Sequence, residues 1–345
     1  MKEMKEIIVD VQNLVKEYPS QDGGGLFRKA SAPVKALSDV SFALRKGETL
    51  SLVGESGCGK TTLGRCLARG IEATSGQVNF QTPDGRKIDF LKAKQQEFKE
   101  VRQSIQMIFQ DPYASLNPRM TVYDIISEPL RALSGLSKTE IDERVIEMAR
   151  QTGLNNSFLR RYPHAFSGGQ RQRIGIARAL VTRPKVVVCD EAVSALDVSI
   201  QAQIINLLKD LQREYEITYL FISHDLSVVK HISDRIAVMY LGRIIELAET
   251  EELFRRPMHP YSEALLSAVP NPDPDRKVER IVLQGEVPNP ANPPSGCHFH
   301  PRCPHRTELC EKALPPLQDM GGGRFVACHY ANELTLQGVE SLVAQ

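Results

Sequence analysis

The sequence predicts an α/β protein: a parallel sheet flanked by helices, interrupted by an inserted helical subdomain and followed by a Pro/Cys-rich C-terminal extension. Three observations predict it. Short β-rich apolar runs alternate with helical patterns, the order that builds parallel sheets with right-handed crossovers. Strand signals fade between about residues 111 and 170. Thirteen of the 21 prolines lie between Pro257 and Pro316, a density that long helices and central strands do not tolerate.

Taken in order, Thr49 to Val53 reads as the first buried strand, followed by a Gly-rich loop and an apolar helical pattern at Leu63 and Leu67. Residues 104–109 read as a second strand. In the insert, Ile141, Val145, Met148 and Ala149 mark an amphipathic helix that begins at the capping-type segment Ser137-Lys138-Thr139-Glu140. Residues 186–189 and 217–222 are two further buried strands; between them Ile200, Ile204, Leu207, Leu208 and Leu211 recur at helical spacing. Asp22-Gly23-Gly24-Gly25 reads as a flexible loop. The expected division is residues 1–256 as the main domain with the helical subdomain at about 111–170, residues 257–330 as the extension, and 331–345 as a tail.

Composition excludes several classes. The 43 basic and 42 acidic residues leave a net charge of +1, so no overall field draws the chain to nucleic acid or anionic lipid. No run approaches the roughly 18 apolar residues of a membrane-spanning helix. The N-terminal MKEMKEIIVDVQ lacks a signal-peptide apolar region, which makes the cytosol the expected compartment. Of seven cysteines, Cys58, Cys66 and Cys189 stand apart and read as small buried residues, whereas Cys297, Cys303, Cys310 and Cys328 cluster.

Gly54-Glu55-Ser56-Gly57-Cys58-Gly59-Lys60-Thr61 matches GxxxxGK[ST] directly after a strand and before a helix. The glycines let backbone N–H groups curl round a polyphosphate, Lys60 neutralises its oxygens, Thr61 suits Mg2+, and Thr62 continues the helix N-terminus. Farther on, Asp190 and Glu191 end a buried strand, where a parallel sheet presents groups to ligands. Asp190 suits Mg2+ held through water; Glu191 suits polarisation of the water that attacks the γ-phosphorus.

Phe166-Ser167-Gly168-Gly169-Gln170, followed by Arg171-Gln172-Arg173, resembles the signature of ATP-binding cassette (ABC) ATPases, and the chain is thereby identified as a P-loop NTPase of that family. Read from the residues alone, Ser167 and the two glycines precede an apolar helical segment and suit a second phosphate site at a helix N-terminus; a plain N-cap is the blander alternative. The resemblance implies more: the Ser167 motif serves the nucleotide of a facing subunit, Tyr18 stacks adenine, Gln110 senses Mg2+ and attacking water, His224 contacts the γ-phosphate, and Ser194-Ala195-Leu196-Asp197 communicates across the dimer. By itself, a Tyr after an apolar run such as Tyr18 also has the reading of a surface aromatic. Two positions depart from the pattern, Phe166 for the usual Leu and Ala192 for the Pro after the glutamate; Ala192 is expected to relax the backbone at Glu191.

The resemblance is narrowest to the ATPase subunits of dipeptide, oligopeptide and nickel importers, through Asp111-Pro112-Tyr113-Ala114-Ser115-Leu116-Asn117-Pro118, Arg161-Tyr162-Pro163-His164 and His259-Pro260-Tyr261. It implies ATP hydrolysis coupled to import of peptide, with nickel, glutathione or opine as alternative cargo. It also implies a second ATPase subunit, two transmembrane permeases and an extracytoplasmic binding protein, with the chain peripheral at the cytoplasmic membrane face. A soluble ABC ATPase acting on nucleic acid is the rival class; 6% aromatic content, no Trp and no long basic run speak against it. For Cys297, Cys303, Cys310 and Cys328, separated by five, six and seventeen residues, four thiolates suit Zn2+ or an iron-sulfur cluster. The absence of close CxxC pairs and the resemblance of the tail favour [4Fe-4S], with a structural role.

Overall fold

Strands with no polar-outward position mark the centre of the molecule. The computed structural model describes residues 6–19, 33–82, 84–269 and 280–339; the expected loop at Asp22-Gly23-Gly24-Gly25 lies outside them. In chain order the elements are β1 (Ile7–Tyr18), β2 (Val34–Arg45), β3 (Thr49–Val53), α1 (Lys60–Leu67), β4 (Ser75–Gln81), β5 (Lys87–Asp89), α2 (Gln95–Ser104) and β6 (Ile105–Ile108). Helices α3 (Val122–Leu133), α4 (Lys138–Gln151) and α5 (Gly168–Leu180) follow. Next come β7 (Val186–Asp190), α6 (Val198–Tyr215), β8 (Thr218–Ile222), α7 (Leu226–Ile232), β9 (Arg235–Tyr240), β10 (Arg243–Glu249) and α8 (Thr250–Arg255). The Pro-rich part contributes α9 (Pro260–Leu266), α10 (Glu308–Lys312), β11 (Gln318–Gly321) and β12 (Arg324–Val326).

Every residue of β3, β7 and β8 is buried, as parallel strands covered on both faces must be. They belong to an eight-stranded sheet ordered β11-β12-β10-β9-β3-β8-β7-β6, in which β6, β7, β8, β3 and β9 run parallel. The four strands expected from sequence are therefore contiguous, in the order β3-β8-β7-β6. Side-chain alternation splits each strand between two cores. Val187, Cys189, Tyr219 and Phe221 pack toward α3, α4, α5 and α6. Val186, Val188, Leu220 and Ile222 pack with Leu63 and Leu67 of α1 and with a second sheet. Cys66 and Cys189 lie in these cores, as does Cys58, which is buried within the Gly-rich loop.

The second sheet, β2-β1-β4-β5, is antiparallel and was not foreseen. Its trace in the sequence is the alternation of buried Val40, Phe42 and Leu44 with half-buried neighbours. The insert follows its pattern: Ser137 and Glu140 cap α4 reciprocally, and the helix buries Ile141, Val145, Met148 and Ala149.

The composition boundary near residue 257 is not a packing boundary. Strand β12 pairs with β10, and β11 with β12, so the extension continues the large sheet. Phe299 stands edge-on to Tyr240 and Tyr261, ring centroids 5.4 Å away in both cases, in a core shared with Val53. The proline density does hold the elements short: among the described residues after 257 the longest is α9, of seven residues. Residues 331–339 pack too: the Val339 N–H donates to the Phe254 carbonyl at 2.7 Å. Among the described residues, no helix is long and apolar enough to cross a membrane.

Candidate nucleotide-binding site

Because β3, β6, β7 and β8 are parallel, the residues that follow them emerge at one sheet edge. The loop after β3 is shaped by glycine where nothing else fits. Gly54 has φ 147° and a Cβ there would lie 2.2 Å from the Met239 carbonyl oxygen; at Gly59, φ 105°, it would lie 2.4 Å from that of Ala36. Gly59 is the N-cap of α1, so the first N–H groups of that helix open into the loop. Ser56 and Gly57 are exposed, Thr61 and Thr62 half-buried, and Lys60 buried. The Lys60 ammonium donates to the Gly54 carbonyl at 2.7 Å and the Glu55 carbonyl at 3.0 Å. It rests on the loop's own carbonyls, where an incoming polyphosphate would compete for it.

Beside it, the Thr61 hydroxyl donates to Asp190 Oδ1 at 3.0 Å. Burial raises the Asp190 carboxyl above its ordinary value, opposed by that hydrogen bond. Glu191 gathers two residues from neighbouring strand ends: Gln110 Nε2 donates to Oε2 at 2.7 Å, and His224 Nδ1 lies 3.4 Å from Oε1. Glu191 has φ 49°, a left-handed conformation that L-residues adopt at a cost. The turn is held nonetheless. Its N–H donates to the Ile222 carbonyl at 3.0 Å, and its carbonyl accepts from Ser194 N–H and hydroxyl at 3.1 and 3.0 Å. Ala192 is buried in the core. The looseness expected from Ala192 is thus countered by hydrogen bonds on either side of it.

Ser167 caps α5: its hydroxyl accepts the Gln170 N–H, and Gln170 Oε1 accepts the Ser167 N–H at 3.1 Å. Gly168 and Gly169 face Leu196 and Ile200, with room for nothing larger at Gly169, whose Cβ would meet Ile200 at 2.7 Å. Among the described residues no hydrogen bond or ion pair joins Ser167, Gly168, Gly169 or Gln170 to Lys60, Thr61, Asp190 or Glu191. Asp197 caps the start of α6 from an exposed position, next to Val198, which is 81% exposed. Tyr18 is exposed at the end of β1, paired with Val34 and covered by the Lys16 ammonium 4.9 Å from its ring centroid. Two residues beyond Val34, the Ala36 carbonyl abuts Gly59, so this strand end borders the phosphate loop.

Sequence reasoning missed the contacts that Glu55 makes with the extension. Arg302 donates to it bidentately, Nη1 to Oε2 at 2.7 Å and Nη2 to Oε1 at 3.0 Å. The Glu55 N–H donates to the Tyr261 hydroxyl at 2.8 Å. No local pattern could have announced a pair separated by 247 residues. The four clustered cysteines, expected as one set, line one cavity with about 330 Å3 of non-protein space, its mouth included. Burial pushes Cys303 up to about 12 and Cys328 up to about 11, and raises Cys297. Among the described residues no three His, Cys, Asp or Glu side chains close on a point as single-ion ligands. His300 Nδ1 and His329 Nε2 instead meet the carbonyls of Cys297 and Ala313.

A strand, a glycine-shaped phosphate loop, a helix N-terminus and acidic residues at the end of another parallel strand of the same sheet define a P-loop nucleotide-binding protein. Residues 37–194 match the family "ABC transporter", and residues 245–310 match "Oligopeptide/dipeptide transporter, C-terminal region". The chain is 52% identical over 327 residues to the oligopeptide transport ATP-binding protein AppF of Bacillus subtilis, covering 94% of this chain and 98% of that one. It is 51% identical to the probable peptide ABC transporter ATP-binding protein y4tS of Sinorhizobium fredii, covering 94% and 90%. Among solved structures it is similar to the cassette MJ0796, in a dimeric post-hydrolysis state bound to ADP and Pi, with 27% identity and TM-score 0.60 over 70% of this chain and 99% of that one. CbiO1 of Clostridium perfringens, part of the transporter complex cbiONQ, is similar at 29% identity and TM-score 0.60, covering 72% and 91%. The chain belongs to the ATP-binding proteins of ABC transporters.

Proposed function

We propose that this protein is the ATP-hydrolysing subunit that powers import of peptides, working from the cytoplasmic face of the membrane. The observation that carries the enzymatic part is the meeting of Gln110, Glu191 and His224 beside the phosphate loop, each delivered by the end of a different parallel strand. Residues 54–61 bind the polyphosphate, and Tyr18 borders the base. Thr61, Asp190 and Gln110 would hold Mg2+, which supplies charge neutralisation at the phosphate oxygens. Glu191 orients and deprotonates the attacking water, Gln110 fixes the carboxylate, and His224 faces the γ-phosphate.

The Ser167 motif acts in the site of a facing ATPase subunit, identical or paralogous. What supports this is that Gly168 and Gly169 pack against Leu196 and Ile200, beside the exposed Asp197 and Val198. ATP closes the two subunits and hydrolysis releases them, driving two permeases fed by an extracytoplasmic binding protein. Peptide is the cargo favoured by the names of the relatives and by the match across the C-terminal region.

Cys297, Cys303, Cys310 and Cys328 would hold a [4Fe-4S] cluster that crosslinks the loops; the alternative is Zn2+. What supports a shared centre is that the four thiols line one cavity. Iron with acid-labile sulfide in the purified protein is the expected assay; stoichiometric zinc without iron overturns the cluster. For function, the chain purified from its native membrane should bring permeases with it, and the intact complex should carry peptide. Recovery free of permeases, with hydrolysis stimulated by DNA, would overturn the proposal.

A further inference from the structure

Glu55 is an awkward residue to find inside a phosphate loop. A carboxylate beside the landing place of a polyanion repels it unless a cation cancels its charge. The cancelling group is Arg302, whose side chain is only 6% exposed. The same guanidinium reaches the Tyr240 hydroxyl at 3.4 Å and lies 6.0 Å from the centre of that ring. With the Tyr261 hydroxyl holding the Glu55 N–H, the first turn of the loop is fastened at two points to the region after residue 257. Its third polar group, the Glu55 carbonyl, accepts from Lys60.

Arg302 is itself placed by the cysteine lobe. It ends a 3-10 turn (His300–Arg302) lying between Cys297 and Cys303. The His300 N–H donates to the Cys297 carbonyl at 2.9 Å, the Arg302 N–H to the Phe299 carbonyl at 3.0 Å, and the Cys303 N–H to the His300 carbonyl at 3.2 Å. The Cys297 N–H in turn donates to the Cys310 carbonyl at 2.7 Å. A continuous series of short contacts therefore runs from the backbone around the cysteines, through Arg302, to the loop.

We propose that Arg302 is a positioning residue of the nucleotide site: it neutralises and orients Glu55 so that the phosphate loop accepts ATP, and it makes nucleotide affinity depend on the order of the four-cysteine lobe. The proposal rests on residues 54–61 being the ATP phosphate loop. Arg302 acts on binding, not on the attacking water, so the effect falls on nucleotide affinity and leaves saturated turnover largely intact.

The test is a double-mutant cycle on the full chain, reading the dissociation constant of a fluorescent ATP analogue and, in the assembled transporter, KM and kcat separately. Arg302→Ala should weaken binding about tenfold, the size of a lost charge-assisted pair, with kcat within about twofold. In a Glu55→Gln background the same substitution should cost less than about twofold, because the charge Arg302 cancels is gone. Cys303→Ser should weaken binding in the wild-type background and lose most of that effect in Glu55→Gln. Arg302→Lys, which keeps the charge without the fork, should fall between and guards against a folding artefact, checked by unchanged circular dichroism. Equal losses in both Glu55 backgrounds, or unchanged affinity in folded Arg302→Ala, overturn the positioning role. A wild-type chain that binds no ATP overturns the nucleotide reading and this inference with it.

Discussion

The phosphate loop and the turn that carries Arg302 are both short and rich in helix-breaking residues, and they meet at one ion pair, but they are specified differently. The first is set by its neighbours in sequence: buried β3 before it, α1 after it, and glycines where carbonyls of Ala36 and Met239 leave no room. The second is set by neighbours in space: the aromatic cluster of Tyr240, Tyr261 and Phe299. A loop on regular supports can carry a readable motif, whereas a loop supported by tertiary contact carries its meaning only in the fold.

The largest expected effect separates chemistry from architecture. Glu191→Gln should lower ATP turnover by about 10^2 to 10^4, the range for loss of a general base, while binding persists and the ATP-closed dimer accumulates. Rapid steady-state phosphate release by that variant would remove Glu191 from the role. Phe299→Ala is the converse. It should destabilise the whole chain by about 3–5 kcal/mol, with bound fluorescent nucleotide and far-ultraviolet circular dichroism lost in one transition. If the extension unfolded first and the nucleotide site stayed intact, the shared core would not couple the two regions.

Acid should act through the extension. His259 is fully buried, its Nδ1 accepts the Tyr261 N–H at 3.0 Å, and burial drops it to about 3. Above the ordinary value of about 6.5 both folded and unfolded chains are neutral there; below it the unfolded chain takes up a proton that the folded chain refuses. Stability is therefore lost as pH falls from 6.5 toward 3, by about 2 kcal/mol at pH 5 from this group. His259→Asn keeps a capping acceptor without the titration and should flatten that part of a denaturant-midpoint-against-pH curve; an unchanged curve would exclude His259 as the source. The smallest stability effect belongs to Ser167→Ala, about 1 kcal/mol for a lost N-cap. Its turnover in the assembled transporter should nevertheless fall by more than about tenfold. Loss of stability alone would leave Ser167 a cap.

Much of the parallel sheet was legible because its strands are buried throughout and mostly apolar: residues 186–189 and 217–222 could be read directly, since no residue has to face water. The antiparallel sheet was not, because β1 and β2 carry register shifts and a half-exposed face that blur the alternation. In the site, Lys60, Asp190 and Glu191 could be named from the loop motif and a strand end, and Gln110 and His224 from the family resemblance, but not their mutual contacts. Arg302 could not be named at all, since its partner lies at the other end of the chain. Proline density marks a change of composition near residue 257 but carries no sign of the contact across it, because β12 joins the large sheet through only two paired residues, opposite Glu246 and Leu247.

If ATP held by residues 54–61 is cleaved with the help of Glu191 to drive transport, the assembled transporter must release phosphate. Phosphate release measured on the chain assembled with its permeases and partner ATPase tests it most directly. The expected result is retained ATP and steady phosphate release, abolished by Lys60→Ala; an assembly that neither holds ATP nor releases phosphate contradicts the account.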